Sequence, residues 1–261
     1  MKQKVVLICV DGMRPDGFLQ CGNPLVQTLM ERGSWTMTAR TVMPSCTLPC
    51  HMSMFHSVTP ARHGITTNLY TPPVRPINGL FEQAHQFELS TAFFYGWEPL
   101  RDIARPLSLG TAAFRCARRA DDTDTWLTSQ FLDLLASDKP DFTFLYLVET
   151  DEKGGHDHGW MSPEYLNCVS VALDNIGRVL DAVDDSYTII ITADHGGHDQ
   201  THGTEMEEDM TIPMVFIGPD FTPGKELTGV SILDLAPTIA DVLQIRSARE
   251  WEGHSLLRKE D

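Results

Sequence analysis

Three strand-like runs of apolar residues in this chain stop at, or a few positions before, an acidic residue. The acids are Asp11, Asp151 and Asp194, and the last of them follows the β-branched run 189–192. In an open parallel sheet, ligands bind outside the carboxyl ends of the strands. One acid at such a position is also typical of a capped turn, but three carboxylates crowded at one edge repel one another unless a cation compensates their charge. The pattern therefore predicts a parallel sheet with a polynuclear metal site at its edge.

Strand-like runs alternate with helical patterns along the chain, which predicts the α/β class with a mostly parallel central sheet and helices on both faces. The clearest helix begins at Ser162-Pro163, where a capping serine precedes a proline in the first turn. Strands are expected near 4–10, 89–95, 142–148, 187–193 and 213–217, and the other helices near 24–32, 48–57, 78–87, 123–136 and 232–243.

The 261 residues contain no internal repeat or long linker, so we expect a single domain over 1–261. Core-like patterns fill most of the chain between Asn68 and Asp151. No large cap domain is therefore expected, only a small lid from 69–76 or 97–120.

Composition bears on the partners and the compartment. The formal net charge of −16 disfavours binding to a long nucleic acid, which needs clustered Lys and Arg. No apolar run approaches the ~18–20 residues of a membrane span. The first apolar run, 5–10, ends at Asp11 without a small-residue cleavage site and is interpreted as a strand, not a signal peptide. We therefore expect a cytoplasmic protein with no membrane partner, whose six cysteines are reduced.

A candidate nucleophile lies in the segment Met-Pro-Ser-Cys-Thr-Leu-Pro-Cys-His at 43–51. Pro49 suits the first turn of a helix, which places Thr47 near the helix N-terminus. Unpaired backbone N–H groups there favour an anion, either a phosphate group or an alkoxide. Threonine is a poor nucleophile at neutral pH unless a base or a metal activates it, so an ordinary N-cap threonine is the alternative at this point.

Several short motifs follow one another in a familiar order. They are Val-Asp-Gly-Met-Arg-Pro at 10–15, Pro-x-x-Thr-x-Pro at 44–49, Pro-Ala-Arg-His-Gly-Ile-Thr-Thr-Asn at 60–68, and the stretches 151–156, 192–196 and 202–203. Together they resemble the nucleotide pyrophosphatase/phosphodiesterase (type I phosphodiesterase) family of the alkaline phosphatase superfamily, over nearly the whole chain.

The resemblance implies two divalent metal ions, with Zn²⁺ favoured by the imidazole ligands and Mn²⁺ as the alternative. The implied ligand sets are Asp151, His156 and His202 for one ion, and Asp11, Asp194, His195 and the Thr47 oxygen for the other. Asn68 would donate to a substrate oxygen beside the Thr47 backbone N–H.

One spacing departs from the family pattern. The family usually places the Asp and His of its third motif four residues apart, but Asp151 and His156 are five apart and Glu152 sits at the expected spacing. We predict Asp151 as the ligand. His158 and His198 are predicted to surround the ligands or face solvent, and His51, His56, His85 and His254 are predicted to be structural.

The resemblance also implies the activity, which is hydrolysis of phosphate esters, either phosphodiesters or nucleotide pyrophosphates, through a covalent phospho-threonine at Thr47. The alternatives are a phosphomonoesterase, phosphonate hydrolase or mutase of the same superfamily, or a metal-binding relative without turnover. A sulfatase is disfavoured because Thr47 occupies the position where that family needs a cysteine or serine. The expected partner is a small phosphate ester, and the oligomeric state is left open.

Overall fold

The computed structural model describes residues 3–257 and contains a seven-stranded sheet. The strands are β1 (Lys4–Val10), β2 (Ser34–Arg40), β3 (Thr91–Tyr95), β4 (Thr111–Phe114), β5 (Phe142–Leu147), β6 (Tyr187–Thr192) and β7 (Thr211–Ile217). Their spatial order is β2-β7-β6-β1-β5-β3-β4. Among these strands only β7 runs against its neighbours β6 and β2, so the prediction of a mostly parallel sheet is confirmed.

The two strands that the sequence pattern did not predict, β2 and β4, lie at the two edges of the sheet. Buried residues of β2 are interspersed with partly exposed ones, and the residues of β4 alternate between partly exposed and exposed positions. An edge strand is less completely covered than a central one, so its apolar pattern is weak. By contrast, β5 and β6 are buried at every position because helices cover both of their faces.

The helices form two layers. The α-helices are α1 (Pro15–Gln20), α2 (Leu25–Arg32), α3 (Thr47–His56), α4 (Pro60–His63), α5 (Leu80–Gln86), α6 (Thr123–Ser137), α7 (His156–His158), α8 (Pro163–Ala182), α9 (Glu207–Met210) and α10 (Leu235–Val242). Helices α2, α6 and α8 pack together and on the sheet, and α3, α5 and α10 form a second such group. The predicted helices on both faces are confirmed.

The helix predicted to begin at Ser162-Pro163 is α8. The Ser162 hydroxyl accepts a hydrogen bond from the backbone N–H of Tyr165 at 3.1 Å and so caps the helix. This helix buries the side chains of Val169, Leu173 and Ile176. Full burial of an apolar side chain of this size stabilises the fold by about 1.5–3 kcal/mol.

The chain between Asn68 and Asp151 contributes α5, β3, β4, α6 and β5 to the fold. The expectation of a lid from 97–120 is wrong for the part that forms β4, because these residues pair with β3 in the sheet. Segment 69–76 forms an exposed connection, as expected for its proline-rich sequence. None of the helices in the described part of the chain is long and apolar enough to cross a membrane.

Candidate metal centre and active site

The carboxyl ends of β1, β5 and β6 are level, which brings the three acids to one place. Val10 pairs with Leu147 of β5, and Cys9 pairs with Thr192 of β6. The acid that follows each strand therefore projects from the same edge of the sheet. These three residues, Asp11, Asp151 and Asp194, are 2%, 4% and 0% exposed.

Three histidines face these acids in a common manner, because each ring binds a backbone carbonyl through Nδ1. The distances are 3.0 Å from His156 to Gln200, 2.8 Å from His195 to Gly196, and 2.9 Å from His202 to Ser45. Such a bond leaves Nε2 as the free nitrogen, and hydrogen bonds of this kind orient metal-binding histidines in proteins.

The ligand atoms fall into two overlapping groups, in each of which all atoms lie within 4.8 Å of one another. One group is Asp11, Asp194 and His195, and the other is Asp151, His195 and His202. His195 belongs to both, and its ring stacks on that of His202 at 3.9 Å.

His156, which the sequence predicts as a ligand together with Asp151 and His202, belongs to neither group and lies on the outer side of Asp151. Its Nε2 lies 3.3 Å from Asp151 Oδ2, while Nε2 of His202 lies 3.8 Å from Asp151 Oδ1. The two imidazoles thus flank the two oxygens of one carboxylate. His156 is the more exposed of the two, with 38% of its side chain accessible.

Thr47 is the first residue of α3, as the proline spacing predicted. Its hydroxyl is buried and lies 3.2 Å from Nε2 of His195. The first backbone N–H groups of a helix have no partner within the helix, so this end of α3 favours an anion. The structure therefore joins the candidate nucleophile to the centre of the acid–histidine cluster.

Asn68 is exposed, and its side-chain oxygen accepts a hydrogen bond from the backbone N–H of Leu48 at 3.0 Å. Because the amide oxygen faces that donor, the amide nitrogen points elsewhere and is available to donate. Leu48 directly follows Thr47, so this contact holds the Asn68 amide beside the first turn of α3.

The extra residue between Asp151 and His156 is accommodated by a π-helical turn, Thr150–Gly155. Within it, Asp151 is buried and points toward the histidines. Glu152 points away and forms an ion pair with Arg118 on the surface. Turns of this kind are frequent at functional sites, and this one brings Asp151, not Glu152, to the cluster.

A pair of buried acids holds the start of this turn. The carboxylate of Asp124 accepts hydrogen bonds from the backbone N–H groups of Val148 at 2.8 Å and Glu149 at 3.1 Å. The Glu149 carboxylate in turn accepts from the N–H of Thr123 at 3.0 Å and from Lys153 at 2.6 Å. The end of β5 and the start of α6 are thereby joined just before Asp151.

The loop that carries His202 has its own anchor, which involves one of the histidines predicted to surround the ligands. His198 pairs through Nδ1 with Asp209 at 2.7 Å. The other oxygen of Asp209 accepts from the N–H of Thr204 at 2.8 Å. His158, His85 and His254 are exposed, and His56 is buried on α3.

Two side chains that contact the acids were not predicted as functional. His51, predicted to be structural, lies with Nδ1 at 3.3 Å from Asp194 Oδ2 and 2.8 Å from the Thr47 carbonyl. The hydroxyl of Tyr146 donates to Asp11. The available sequence signal was that His51 follows Thr47 by four residues, which places both on one helix face.

Burial and mutual repulsion dominate the electrostatics of the acids. Burial, then Asp194 and Asp151, raise the pKa of Asp11, and burial raises the pKa of Asp151 to about 6. Burial also raises the pKa of Asp194, but His195 and His51 outweigh it and the net pKa is lowered. Burial and then His195 lower the pKa of His202 to about 4.

The cluster has the properties of a cation site. Oδ1 of Asp11, Oδ1 of Asp151 and Oδ2 of Asp194 are buried without a hydrogen-bond partner. The ion pairs described for these acids are with histidines, not with lysine or arginine. Because buried carboxylates need a compensating charge, the donor set of carboxylate oxygens and imidazole nitrogens fits divalent ions such as zinc.

The fold and this cluster define an α/β protein with a candidate acid–histidine metal centre beside a helix N-terminus. The chain belongs to the type I phosphodiesterase/nucleotide pyrophosphatase family of the alkaline phosphatase superfamily, whose family model matches residues 5–114 and 111–211.

Curated relatives match parts of the chain. The 2,3-bisphosphoglycerate-independent phosphoglycerate mutase of Clostridioides difficile (strain 630) is 30% identical over 140 residues, covering 51% of this chain and 27% of that protein. Ectonucleotide pyrophosphatase/phosphodiesterase family member 1 of Rattus norvegicus is 24% identical over 218 residues, covering 73% of this chain and 24% of that protein. The matched part thus spans about a quarter of the length of these relatives.

Solved structures share the fold across nearly the whole chain. Murine ectonucleotide pyrophosphatase/phosphodiesterase 5 has a TM-score of 0.79 at 15% identity, covering 97% of each chain. A 2-O glycosaminoglycan sulfatase has a TM-score of 0.79 at 15% identity, covering 98% of this chain and 73% of that one. The phosphonate monoester hydrolase of Silicibacter pomeroyi has a TM-score of 0.78 at 15% identity, covering 99% and 78%.

Proposed function

We propose that this protein is a two-metal hydrolase of phosphate esters that acts on phosphodiesters or nucleotide pyrophosphates, within a single domain over 1–261. Residues 1–2 and 258–261 of that span lie outside the described residues. The observation that carries the proposal is the set of three buried, unpartnered carboxylate oxygens gathered around His195, whose Nε2 lies 3.2 Å from the Thr47 hydroxyl.

The proposed ligands keep the two sets expected from the sequence. They are Asp151, His156 and His202 for one ion, and Asp11, Asp194, His195 and Thr47 for the other. Bound there, two divalent cations, Zn²⁺ or Mn²⁺, would supply the positive charge that lowers the pKa of the Thr47 hydroxyl and offsets the charge on the leaving oxygen.

The covalent step uses the Thr47 hydroxyl as nucleophile. A bond forms between Thr47 Oγ1 and phosphorus while the bond from phosphorus to the leaving oxygen breaks, and the hydroxyl proton and the leaving alkoxide end as an alcohol. One water then hydrolyses the phospho-threonine and releases a phosphomonoester with the free hydroxyl. The amide of Asn68 and the backbone N–H of Thr47 stabilise the charge on the non-reacting oxygens.

The character of these donors supports a diester substrate. An amide and a backbone N–H are neutral, so they suit the single negative charge of a diester better than the two charges of a monoester. An inactive threonine-to-alanine variant of murine ectonucleotide pyrophosphatase/phosphodiesterase 5 was solved in complex with AMP, which supports a threonine nucleophile and a nucleotide-type substrate. Thr47 also disfavours sulfatase activity, despite the fold shared with a sulfatase.

The decisive experiment compares Thr47→Ala with Thr47→Ser in the metal-reconstituted protein. With bis(p-nitrophenyl) phosphate, Thr47→Ala should lose more than about 10³-fold in kcat/KM, because no nucleophile is left. Thr47→Ser keeps a hydroxyl and should retain measurable turnover. Metal content should stay near two ions per chain in both variants.

Each alternative activity has its own outcome. Turnover retained by Thr47→Ala excludes Thr47 as the nucleophile. Faster turnover of p-nitrophenyl phosphate or an aryl phosphonate than of the diester selects one of the other activities of the superfamily. Wild-type protein that binds two ions but cleaves none of these esters is a metal-binding relative without turnover.

A further inference from the structure

Trp160 lies where the loops that carry the proposed metal ligands meet. The residue is 7% exposed, and its indole Nε1 donates to the carbonyl of Gly12 at 2.8 Å. The ring meets the imidazoles of His156 and His202 edge to face, at centroid distances of 5.4 Å and 5.9 Å. One side chain therefore touches two proposed ligands and the residue next to a third.

Glycines let these loops approach the indole very closely. A Cβ atom on Gly155 or Gly197 would lie 2.5 Å or 2.2 Å from indole atoms, and one on Gly12 would lie 3.2 Å away. Real Cβ atoms do not come within 3.0 Å of such neighbours. The backbone itself thus packs on the indole at three places, and a side chain at Gly155 or Gly197 would push the loop away from Trp160.

Each of these glycines is close in sequence to a proposed ligand. Gly12 follows Asp11, Gly155 precedes His156, and Gly197 comes two residues after His195. Asp11 and His195 are proposed ligands of one ion, and His156 is a proposed ligand of the other.

Trp160 is itself held on its backbone side. Its N–H donates to the carbonyl of Asp199 at 2.8 Å, and the N–H of Gly159 donates to the carbonyl of Gly155 at 2.8 Å. The indole is a rigid plane with few rotatable bonds, so these contacts leave it a single position between the loops.

We infer that Trp160 is a positioning residue for both metal ions, because its indole sets the spacing of the three ligand loops. The inference rests on the proposed two-metal function. A rigid support around metal ligands commonly changes metal affinity when it is altered, by about 10- to 100-fold.

The test uses Trp160→Phe with Trp251→Phe as a matched control. Trp251 also donates its indole N–H to a backbone carbonyl, that of Asn78 at 2.9 Å. It lies by the C-terminal end of α3, the end opposite Thr47, where Glu252 binds the carbonyl of Ser57. The two substitutions therefore remove the same chemical groups, one near the ligands and one far from them.

Competition with a chromogenic chelator measures the Kd of Zn²⁺ at each site. In Trp160→Phe both dissociation constants should rise by about tenfold, and in Trp251→Phe neither should change. Unchanged constants in folded Trp160→Phe would overturn the inference, and so would weakening at one ion alone. Wild-type protein that binds no Zn²⁺ or Mn²⁺ would instead overturn the proposed function.

Tryptophan fluorescence emission gives a second measurement. If Trp160 were purely structural, its emission would not respond to Zn²⁺ binding. Because two proposed ligand imidazoles pack against the Trp160 ring, Zn²⁺ binding should change the emission of wild-type protein and of Trp251→Phe, but not that of Trp160→Phe. Emission that does not respond to bound Zn²⁺ in wild-type protein would contradict this contact. Trp160→Tyr replaces Trp160→Phe if far-UV circular dichroism shows that the latter is unfolded.

Discussion

The backbone N–H of His156 donates to the carbonyl of Asp151, five residues earlier, and the imidazole Nε2 of His156 lies 3.3 Å from the Asp151 carboxylate. The first contact is the hydrogen bond of a π-helical turn, which spans five residues where that of an α-helix spans four. A five-residue spacing in this turn therefore does what a four-residue spacing does in an ordinary helix, since it places both side chains on one face.

This geometry predicts which acid holds metal. Asp151→Asn should lower the metal content from two ions to one, because an amide removes the buried negative charge beside His156 and His202. Glu152→Gln should keep two ions, since Glu152 is paired with Arg118 at the surface. Elemental analysis of dialysed protein measures both contents. Loss of metal in Glu152→Gln with full content in Asp151→Asn would mean that the ligand is Glu152.

Removal of metal should destabilise the fold, because it leaves unpartnered oxygens of Asp11, Asp151 and Asp194 buried together. Zn²⁺ added back at about 100-fold its Kd should stabilise the protein by about 2.7 kcal/mol per site. For a domain of this size the Tm should rise by about 5–10 °C per site. Differential scanning calorimetry of chelated and reconstituted protein measures the change.

Asp194→Asn is the matched variant for the chelation experiment. It removes one ligand charge, so it should lower metal occupancy and show a smaller increase in Tm with Zn²⁺ than the wild type. An equal increase in Tm at unchanged occupancy would remove Asp194 from the ligand set.

His63 should make the protein less stable in mild acid. Burial, and then the nearby His56, lower the pKa of His63 from 6.5 to about 4. The unfolded chain takes up this proton below about pH 6.5, whereas the folded protein does so only near pH 4. The stabilisation is therefore complete above pH 6.5 and is lost as the pH falls toward 4, by about 3 kcal/mol.

Urea unfolding at pH 7 and pH 4.5 isolates this contribution. His63→Gln cannot titrate and should lose less stability between the two pH values than the wild type. His85→Gln removes an exposed imidazole and should behave as the wild type does. Equal losses in all three proteins would show that His63 does not titrate differently on folding.

Local sequence was sufficient for the central elements of the fold. The apolar runs of β1, β5 and β6 are buried on both faces, so their composition alone marks them as strands, and the acids that follow them lie at one edge because parallel strands end together. The Thr47 position at the start of α3 followed from Pro49 in the same way, since helix-start chemistry is contained in a few neighbouring residues.

Contacts between distant segments could not be obtained from local pattern. The edge strands β2 and β4 are partly exposed, so their apolar pattern is weak. Part of the lid expected from 97–120 is instead the strand β4, which pairs with β3. His51 was predicted to be structural because its contact with Asp194 cannot be inferred from neighbouring residues. The two residues are 143 positions apart in the chain, and the fold brings the Asp194 carboxylate to 3.3 Å from Nδ1 of His51.

The sequence by itself determined which acids and histidines are available for metal and which of them follow a strand of the sheet. It could do so because the end of a strand and the start of a helix depend on residues that are adjacent in the chain. Only the tertiary structure decided that Asp151 faces the cluster while Glu152 turns away to pair with Arg118, since that depends on the pitch of one turn. Only the tertiary structure also brought the glycines of three separate loops onto Trp160, because close packing is a property of distant segments meeting in space.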